Sequence, residues 1–149
     1  YIPTGEIKSV EGTPMDFRTP HAIGDSILSQ FDQIQNATGY DHNFCLITYK
    51  DGKGDDTQVC ASLYSPKTGI FMEMFTNEPG VQVYSGNFQG VGADKDIARK
   101  NGITYPKHVS VCLESQKYPD SPNKKNWVQP TLNPGEKYYS HAAYRFSVK

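Results

Sequence analysis

The segment QVCASLYSPKTGIFMEMFT, residues 58–76, decides the fold class because it contains two alternating runs separated by a short loop. Apolar and more polar positions alternate on each side of the loop, as they do on pleated strands. The loop at residues 65–69 has proline early and glycine last, which favours a β-hairpin connection. The segment therefore predicts two antiparallel strands, each with two different faces.

Further strand patterns follow along the chain, at residues 81–84 and 108–114. Near the C-terminus, alternation over residues 138–149 predicts a final strand that buries one face. Ten prolines and thirteen glycines stand mostly between these runs, and helix signals amount to a turn or two at residues 21–31 and 93–100. The pattern predicts an all-β sandwich, with residues 1–149 forming a single domain or part of one.

The charge balance limits the kinds of partner. Fifteen Lys and Arg residues against sixteen Asp and Glu residues give a formal net charge of -1, with both signs scattered. This removes the usual electrostatic argument for binding nucleic acid or an anionic membrane. No apolar run approaches the ~18 residues of a membrane-spanning helix, so we expect a soluble chain with a neutral partner. Because it starts at Tyr1 without a secretory signal, we expect an excerpt or a processed product.

The three cysteines bear on the compartment. Each lies in an apolar run, far from the others, rather than in metal-type spacing. We expect buried free thiols and a reducing, cytoplasmic location. Asn36-Ala37-Thr38 is an acceptor sequon for N-glycosylation and supports secretion as the alternative.

The strand predicted at residues 108–114 ends on a carboxylate. Val109, Val111 and Leu113 point to one side, and Glu114 lies on the other side, which is small and polar. One interpretation is a solvated glutamate at a strand end. The other is a carboxylate at the edge of a pocket, where partial desolvation raises its proton affinity for general-base work. Alternation alone does not choose between them.

Two other polar positions have the same ambiguity. Asp41 lies in GYDHNF, just ahead of an apolar run, and Gln82 lies opposite Val81 and Val83 on the face that Tyr84 shares. Such residues commonly shape turns through bonds to the backbone, and they also bind sugar hydroxyls. Phosphate, zinc and serine-hydrolase chemistry have no local motif in the sequence.

Longer strings carry more information than these single residues. The chain contains IPTGE (2–6), GTPMDFR (12–18), GYDHNF (39–44), TNEPGVQVYSGNF (76–88), YPKHVSVCLESQKYPDSPN (105–123) and LNPGEKY (132–138). In order and spacing these strings resemble the galactose mutarotases of the aldose 1-epimerase family, over nearly the whole chain. The resemblance implies the C-terminal part of a large antiparallel β-sandwich, in a family whose members are considerably longer.

The resemblance also implies an activity. Members of this family interconvert the α and β anomers of free hexoses such as galactose and glucose, and they need no cofactor or metal. Glu114 in CLESQ matches the general base, which takes the proton from the anomeric hydroxyl. Asp41 in GYDHNF and Gln82 in PGVQVYSGN match residues that bind the sugar. We therefore expect an isomerase in which Glu114 is catalytic and Asp41 and Gln82 bind substrate.

One part of the family pattern is missing. The family's acid, a histidine, lies upstream of the matching region together with further binding residues, and no histidine of this chain sits in a matching motif. We therefore expect activity only with a complementing N-terminal chain of the same domain. A carbohydrate-binding or structural subunit without turnover is the rival hypothesis. A relative acting on phosphorylated hexose is disfavoured, since no basic cluster surrounds Gln82 or Glu114.

Overall fold

The computed structural model of the protein describes residues 2–95 and 97–149, without the side chain of Asp94. Short antiparallel strands dominate these residues, and a single α-helix among them, α1, spans Asp32–Ala37. The strands are, in chain order, β1 (Asp41–Cys45), β2 (Tyr49–Lys50), β3 (Lys53–Gly54), β4 (Ala61–Tyr64), β5 (Ile70–Thr76), β6 (Gly80–Tyr84), β7 (Cys112–Gln116) and β8 (Ala142–Val148). The all-β prediction is confirmed.

The strands form three small sheets, with the orders β1-β6-β7, β2-β3 and β4-β5-β8. Contacts group the residues into two compact units. The first unit contains the residues up to Glu6 together with Asn43–Val81 and Glu114–Lys149, and the second contains Ile7–His42 and Gln82–Leu113. Within the described ranges, every helix is too short or too polar to span a membrane.

The sheet β4-β5-β8 belongs to the first unit and contains the predicted hairpin. Strands β4 and β5 pair from Ala61 opposite Met74 to Tyr64 opposite Phe71. The loop between them is closed by Gly69, whose N–H donates to the Ser65 carbonyl at 2.8 Å. Gly69 has a φ of +72°, a conformation that glycine adopts without steric cost. The hairpin prediction is confirmed.

One face of this sheet is apolar and exposed. Strand β8 pairs with β5 so that Val148 lies opposite Ile70 and Tyr144 lies opposite Met74, and directly opposite residues share a face. Phe146 is 65% exposed and Val148 78% exposed, and Ile70 and Tyr144 are also exposed. We call the surface formed by Ile70, Tyr144, Phe146 and Val148 the apolar face. The prediction that the final strand buries one face is wrong, because Tyr144, Phe146 and Val148 are 45%, 65% and 78% exposed.

Charged side chains cover the opposite face of the same sheet. Lys149 Nζ lies 3.3 Å from the centroid of the Phe71 ring, and the Arg145 guanidinium carbon lies 5.1 Å from that of Phe75. Arg145 also forms an ion pair with Glu73 at 2.9 Å. Long cationic side chains shield aromatic rings while their charged ends stay in water. This charged face is therefore suited to solvent, whereas the apolar face is not.

The second unit packs around the end of helix α1. Ile34, Ala37 and Tyr40 are fully buried there. The Tyr40 hydroxyl donates to the Pro14 carbonyl at 3.0 Å, and its ring meets Phe17 edge-on at 5.2 Å between centroids. The helix starts at Asp32, beyond the predicted segment 21–31, which contains only a 3-10 turn at Ile23–Asp25.

Strand β7 starts later than the alternation predicts. It begins at Cys112 rather than at residue 108, because His108 has a φ of +63° and is not extended. The His108 N–H donates to the Gly86 carbonyl and its ring contacts the Thr38 carbonyl, so contacts within the second unit hold this conformation. The predicted alternation of side chains between two faces therefore applies only to residues 112–114 of the segment.

The cysteines are free, as predicted, but they are not buried. Cys45 is exposed, and Cys60 and Cys112 are partly exposed. Each lies in or next to a short strand near the surface, so its apolar neighbours in sequence do not enclose it. The prediction of buried thiols is therefore wrong for Cys45.

Candidate active site

Asp41 and Gln82 meet within the second unit. Asp41 is the first residue of β1, and Gln82 is the middle residue of β6. Gln82 Nε2 donates to Asp41 Oδ1 at 2.8 Å, and both residues are half-buried. A carboxylate has two acceptor oxygens, so Oδ2 can accept from a ligand hydroxyl while Oδ1 holds the amide. The structure thus brings together the two residues that the sequence predicts to bind a sugar.

A sharp turn places Asp41 at this position. Helix α1 ends at Thr38, which is left-handed with a φ of 55°, and Gly39 follows with a φ of +142°. A Cβ atom on Gly39 would lie 2.2 Å from Asn87 Oδ1 and 2.8 Å from Ser85 Oγ. Only glycine combines this backbone conformation with so close an approach. Sequence reasoning quoted Ser85 and Asn87 within YSGNF but assigned them no role.

His42 holds the backbone of Asp41. The Asp41 N–H donates to His42 Nδ1 at 3.0 Å, so Nδ1 acts as an acceptor and carries no proton. Burial lowers the pKa of His42 below its ordinary value, although the charge of Asp41 and a hydrogen bond with the Gln33 backbone oppose the shift. The ring is therefore neutral at pH 7, which makes His42 a poor general acid.

Acid is expected to destabilise the fold through His42. The pKa of this imidazole is lowered in the folded chain, so the unfolded chain takes up its proton first as the pH falls below about 6.5. The contribution of His42 to the free energy of unfolding is present above that pH, and it is lost as the pH falls through the pKa of His42 in the folded chain. Urea unfolding between pH 7.5 and 5.5 should show a falling free energy of unfolding. The slope should be smaller in His42→Gln, and an unchanged slope would contradict the assignment.

Glu114 lies in the first unit, on β7, and its side chain is exposed. Its neighbours in sequence are fixed: Gln116 Nε2 donates to Asn43 Oδ1 at 3.1 Å, and the Ser115 hydroxyl contacts that of Thr76, which is fully buried. The pKa of Tyr144, on the apolar face, is raised mainly by burial and further by the charges of Cys60 and Glu114. Glu114 therefore stands on a firmly held strand.

The other histidines have structural contacts. His21 is exposed and stacks on Phe17, with ring centroids 4.5 Å apart. The His108 ring lies 2.9 Å from the Thr38 carbonyl, and His141 Nδ1 lies 2.8 Å from Asp56 Oδ2.

A separate cavity of about 310 Å³ in the first unit contains none of the predicted residues. Its charged groups are satisfied locally, with Lys117 Nζ 3.0 Å from Glu78 Oε2 and Asp56 bonded to His141. Within the described ranges, no three His, Cys, Asp or Glu side chains are grouped so that they could hold a metal ion. The candidate groups for chemistry are thus the Asp41–Gln82 pair and Glu114.

A carboxylate and an amide side by side offer both acceptors and donors to the hydroxyl groups of a ligand. The family model for aldose 1-epimerase matches residues 1–145. The chain therefore belongs to the aldose 1-epimerase family.

Known proteins of this family match almost the whole chain. Galactose mutarotase from Mus musculus is 41% identical over 147 residues, which cover 99% of this chain and 39% of the mouse protein. Aldose 1-epimerase from Escherichia coli (strain K12) is 37% identical over 97% of the chain and 40% of that enzyme. A crystal structure of the GalM/aldose epimerase homologue from C. elegans superposes with a TM-score of 0.78, at 26% identity over 99% of this chain and 40% of that one. The chain spans about two fifths of the length of these relatives.

Proposed function

We propose that this chain supplies the general base of an aldose 1-epimerase that interconverts the α and β anomers of free hexoses such as galactose and glucose. The family membership carries the proposal, since both the mouse and the bacterial relatives have names that state this activity. Glu114 is the proposed base, and Asp41 and Gln82 are the proposed sugar-binding residues. Asp41 and Gln82 lie in the second unit, and Glu114 lies in the first.

The proposed reaction moves two protons. The Glu114 carboxylate takes the proton of the anomeric hydroxyl, and the electrons of that O–H bond form the carbonyl at C1. The bond between C1 and the ring oxygen breaks, and the ring oxygen receives a proton from an acid. Rotation about the bond between C1 and C2, followed by closure on the other face of the carbonyl, gives the other anomer. A base and an acid in different protonation states are required together.

The acid is proposed to come from outside this chain. His42 is kept neutral with Nδ1 already accepting a hydrogen bond, and the His141 ring contacts Asp56 in the first unit. We therefore propose a complementing N-terminal portion of the same domain, which donates the proton and adds further contacts to the sugar.

The apolar face supports this proposal. Exposed apolar side chains in a contiguous patch mark a surface that is covered in the working protein. The matched region is 39% of the mouse galactose mutarotase, so a portion long enough to cover the patch exists in such a relative. Glu114 is exposed on β7, and we propose that the covering portion also removes water from its carboxylate. A carboxylate with less water around it is a stronger base.

The second candidate function is carbohydrate binding without turnover. The Asp41–Gln82 hydrogen bond favours it for the chain alone, because this pair is fully formed in the second unit without any added portion. In that case the fold retains its sugar contacts and lacks the acid.

A mutarotation assay separates the two functions. The chain, the upstream portion of mouse galactose mutarotase and their mixture are each added to freshly dissolved α-D-galactose, and the optical rotation is followed. The proposal predicts that only the mixture accelerates the approach to equilibrium. Galactose binding detected by calorimetry, together with an unaccelerated rotation change in a mixture that forms a complex, would favour the binding function.

A further inference from the structure

Ser85 and Asn87 form a buried polar clamp around the backbone that leads into Asp41. Both residues are 1% exposed, and both lie within three residues of the end of β6, the strand that carries Gln82. Asn87 Nδ2 donates to the carbonyls of Ala37 at 2.8 Å and Tyr40 at 3.0 Å. The Tyr40 N–H donates to Ser85 Oγ at 2.9 Å, and Ser85 Oγ donates to Asn87 Oδ1 at 2.6 Å.

Two backbone carbonyls determine the hydrogen-bond roles of Asn87, because a carbonyl can only accept. The Ser85 hydroxyl has one hydrogen and two acceptors within reach, Asn87 Oδ1 at 2.6 Å and the Tyr40 carbonyl at 3.2 Å, and the contact to Asn87 is the shorter. Asn87 must then present its oxygen to Ser85 and its two amide hydrogens to the two carbonyls, which fixes the orientation of the amide. An aspartate of the same shape at position 87 has no hydrogen to donate and would place negative oxygens against two carbonyls.

The clamp acts on the peptide plane between Tyr40 and Asp41. That plane is rigid, so its carbonyl and its N–H turn together. Its carbonyl accepts from the Ser85 N–H at 2.9 Å and from Asn87, and its N–H donates to His42. With both ends of the plane held, the direction of the Asp41 side chain is set before any ligand arrives.

The same residues tie the two partners of the sugar-binding pair together. Gln82 on β6 precedes Ser85 by three residues, and Asp41, the first residue of β1, follows Tyr40 directly. Bonds between Tyr40 and Ser85 therefore fix the distance over which Gln82 Nε2 reaches Asp41 Oδ1. Buried, fully bonded polar networks of this kind hold side chains rigidly.

We propose that Ser85 and Asn87 are positioning residues, which hold the Asp41–Gln82 hydrogen bond in the geometry that receives sugar hydroxyls. The bond itself is independent of any sugar, whereas its use in binding rests on the proposed function. The clamp raises affinity for the sugar by removing the need to order Asp41 on binding. It does not touch the reacting atoms.

The first test uses the 149-residue chain without sugar. The side-chain NH2 signals of Gln82 are assigned by NMR in the wild type, in Asn87→Asp and in Ser85→Ala, with the exposed Asn126→Asp as the matched control. Both clamp variants should shift these signals and speed their exchange with water, and the control should leave them unchanged. Ser85→Ala removes only a hydroxyl and is the variant to use if Asn87→Asp does not fold. Unchanged Gln82 signals in a folded clamp variant would overturn the proposal.

The second test measures galactose kinetics in the chain assembled with its upstream portion. For Asn87→Asp or Ser85→Ala we expect KM to rise about tenfold, which corresponds to about 1.4 kcal/mol, with a smaller change in kcat. A fall in kcat at unchanged KM would contradict positioning of a binding pair. If the wild-type assembly has no activity, the proposed function fails. The NMR result still decides whether Ser85 and Asn87 hold the Asp41–Gln82 hydrogen bond.

Discussion

Replacing Glu114 with glutamine in the assembled protein is expected to slow mutarotation by ~100- to 10,000-fold, the usual contribution of a general base. Glutamine keeps the size and hydrogen-bonding reach of the side chain but cannot take the proton from the anomeric hydroxyl. Glu114 is exposed on β7, and the two residues that follow it, Ser115 and Gln116, are held by Thr76 and Asn43, so the exchange should leave the fold unchanged. The measurement is the initial rate of optical rotation change with α-D-galactose at saturating concentration.

A matched exchange elsewhere controls for the loss of one negative charge. Glu11 has a side chain that is 78% exposed and only a long contact, 3.9 Å, to Arg18. Glu11→Gln should therefore retain the wild-type rate. If Glu114→Gln also retained that rate while remaining assembled, Glu114 would not be the base, and the interpretation as a solvated strand-end residue would stand.

Replacing Phe146 with aspartate is expected to prevent assembly with the upstream portion. Phe146 is 65% exposed at the centre of the apolar face, opposite Met72 in the sheet register. Burying a charge without a partner in an apolar contact is costly, and removing a central aromatic residue from an interface commonly costs about 2 kcal/mol or more. The dissociation constant measured by calorimetry should rise at least about 30-fold.

The same sheet offers a control for this exchange. Tyr64 is 52% exposed and lies opposite Phe71, on the charged face. Tyr64→Asp introduces the same charge at a similar exposure, and the assembly should not change. Equal weakening by both substitutions would mean that the apolar face is not the specific contact surface.

The hairpin could be predicted from sequence because its signals are local. Alternation on both sides and the glycine at position 69 act within about twenty residues, and the register observed for β4 and β5 follows from them. Asp51-Gly52 is a second local signal: these residues have positive φ values and connect the short strands β2 and β3. Asp-Gly between two strands is a common hairpin turn.

Other features depend on tertiary contacts, on which the alternation of apolar and polar residues carries no information. Alternation predicted that β8 has two faces, but it carries no information on what covers either face, and the apolar one is exposed. The positive φ of His108 is held by Gly86 and Thr38, which are distant in sequence. Such tertiary contacts explain why β7 starts four residues later than predicted.

The candidate site was predictable only in part. The alternation of side chains along the strands left the roles of Asp41, Gln82 and Glu114 open. The resemblance of longer sequence segments to the aldose 1-epimerase family supplied the hypothesis that these residues act on a sugar. The structure adds the 2.8 Å bond between Asp41 and Gln82, which joins residues 41 positions apart. The clamp residues Ser85 and Asn87 are ordinary loop residues in the sequence. Their importance follows from burial and from bonds to Tyr40 and Ala37.

The most direct test of the account is a titration of the upstream portion with increasing amounts of this chain, followed by the rate of galactose mutarotation. We expect no acceleration by the upstream portion alone. The rate should rise with added chain and saturate at one chain per upstream portion, and it should not rise with the Glu114→Gln chain. Full activity of the upstream portion alone, or an equal rise with the Glu114→Gln chain, would contradict the claim that this chain supplies the base.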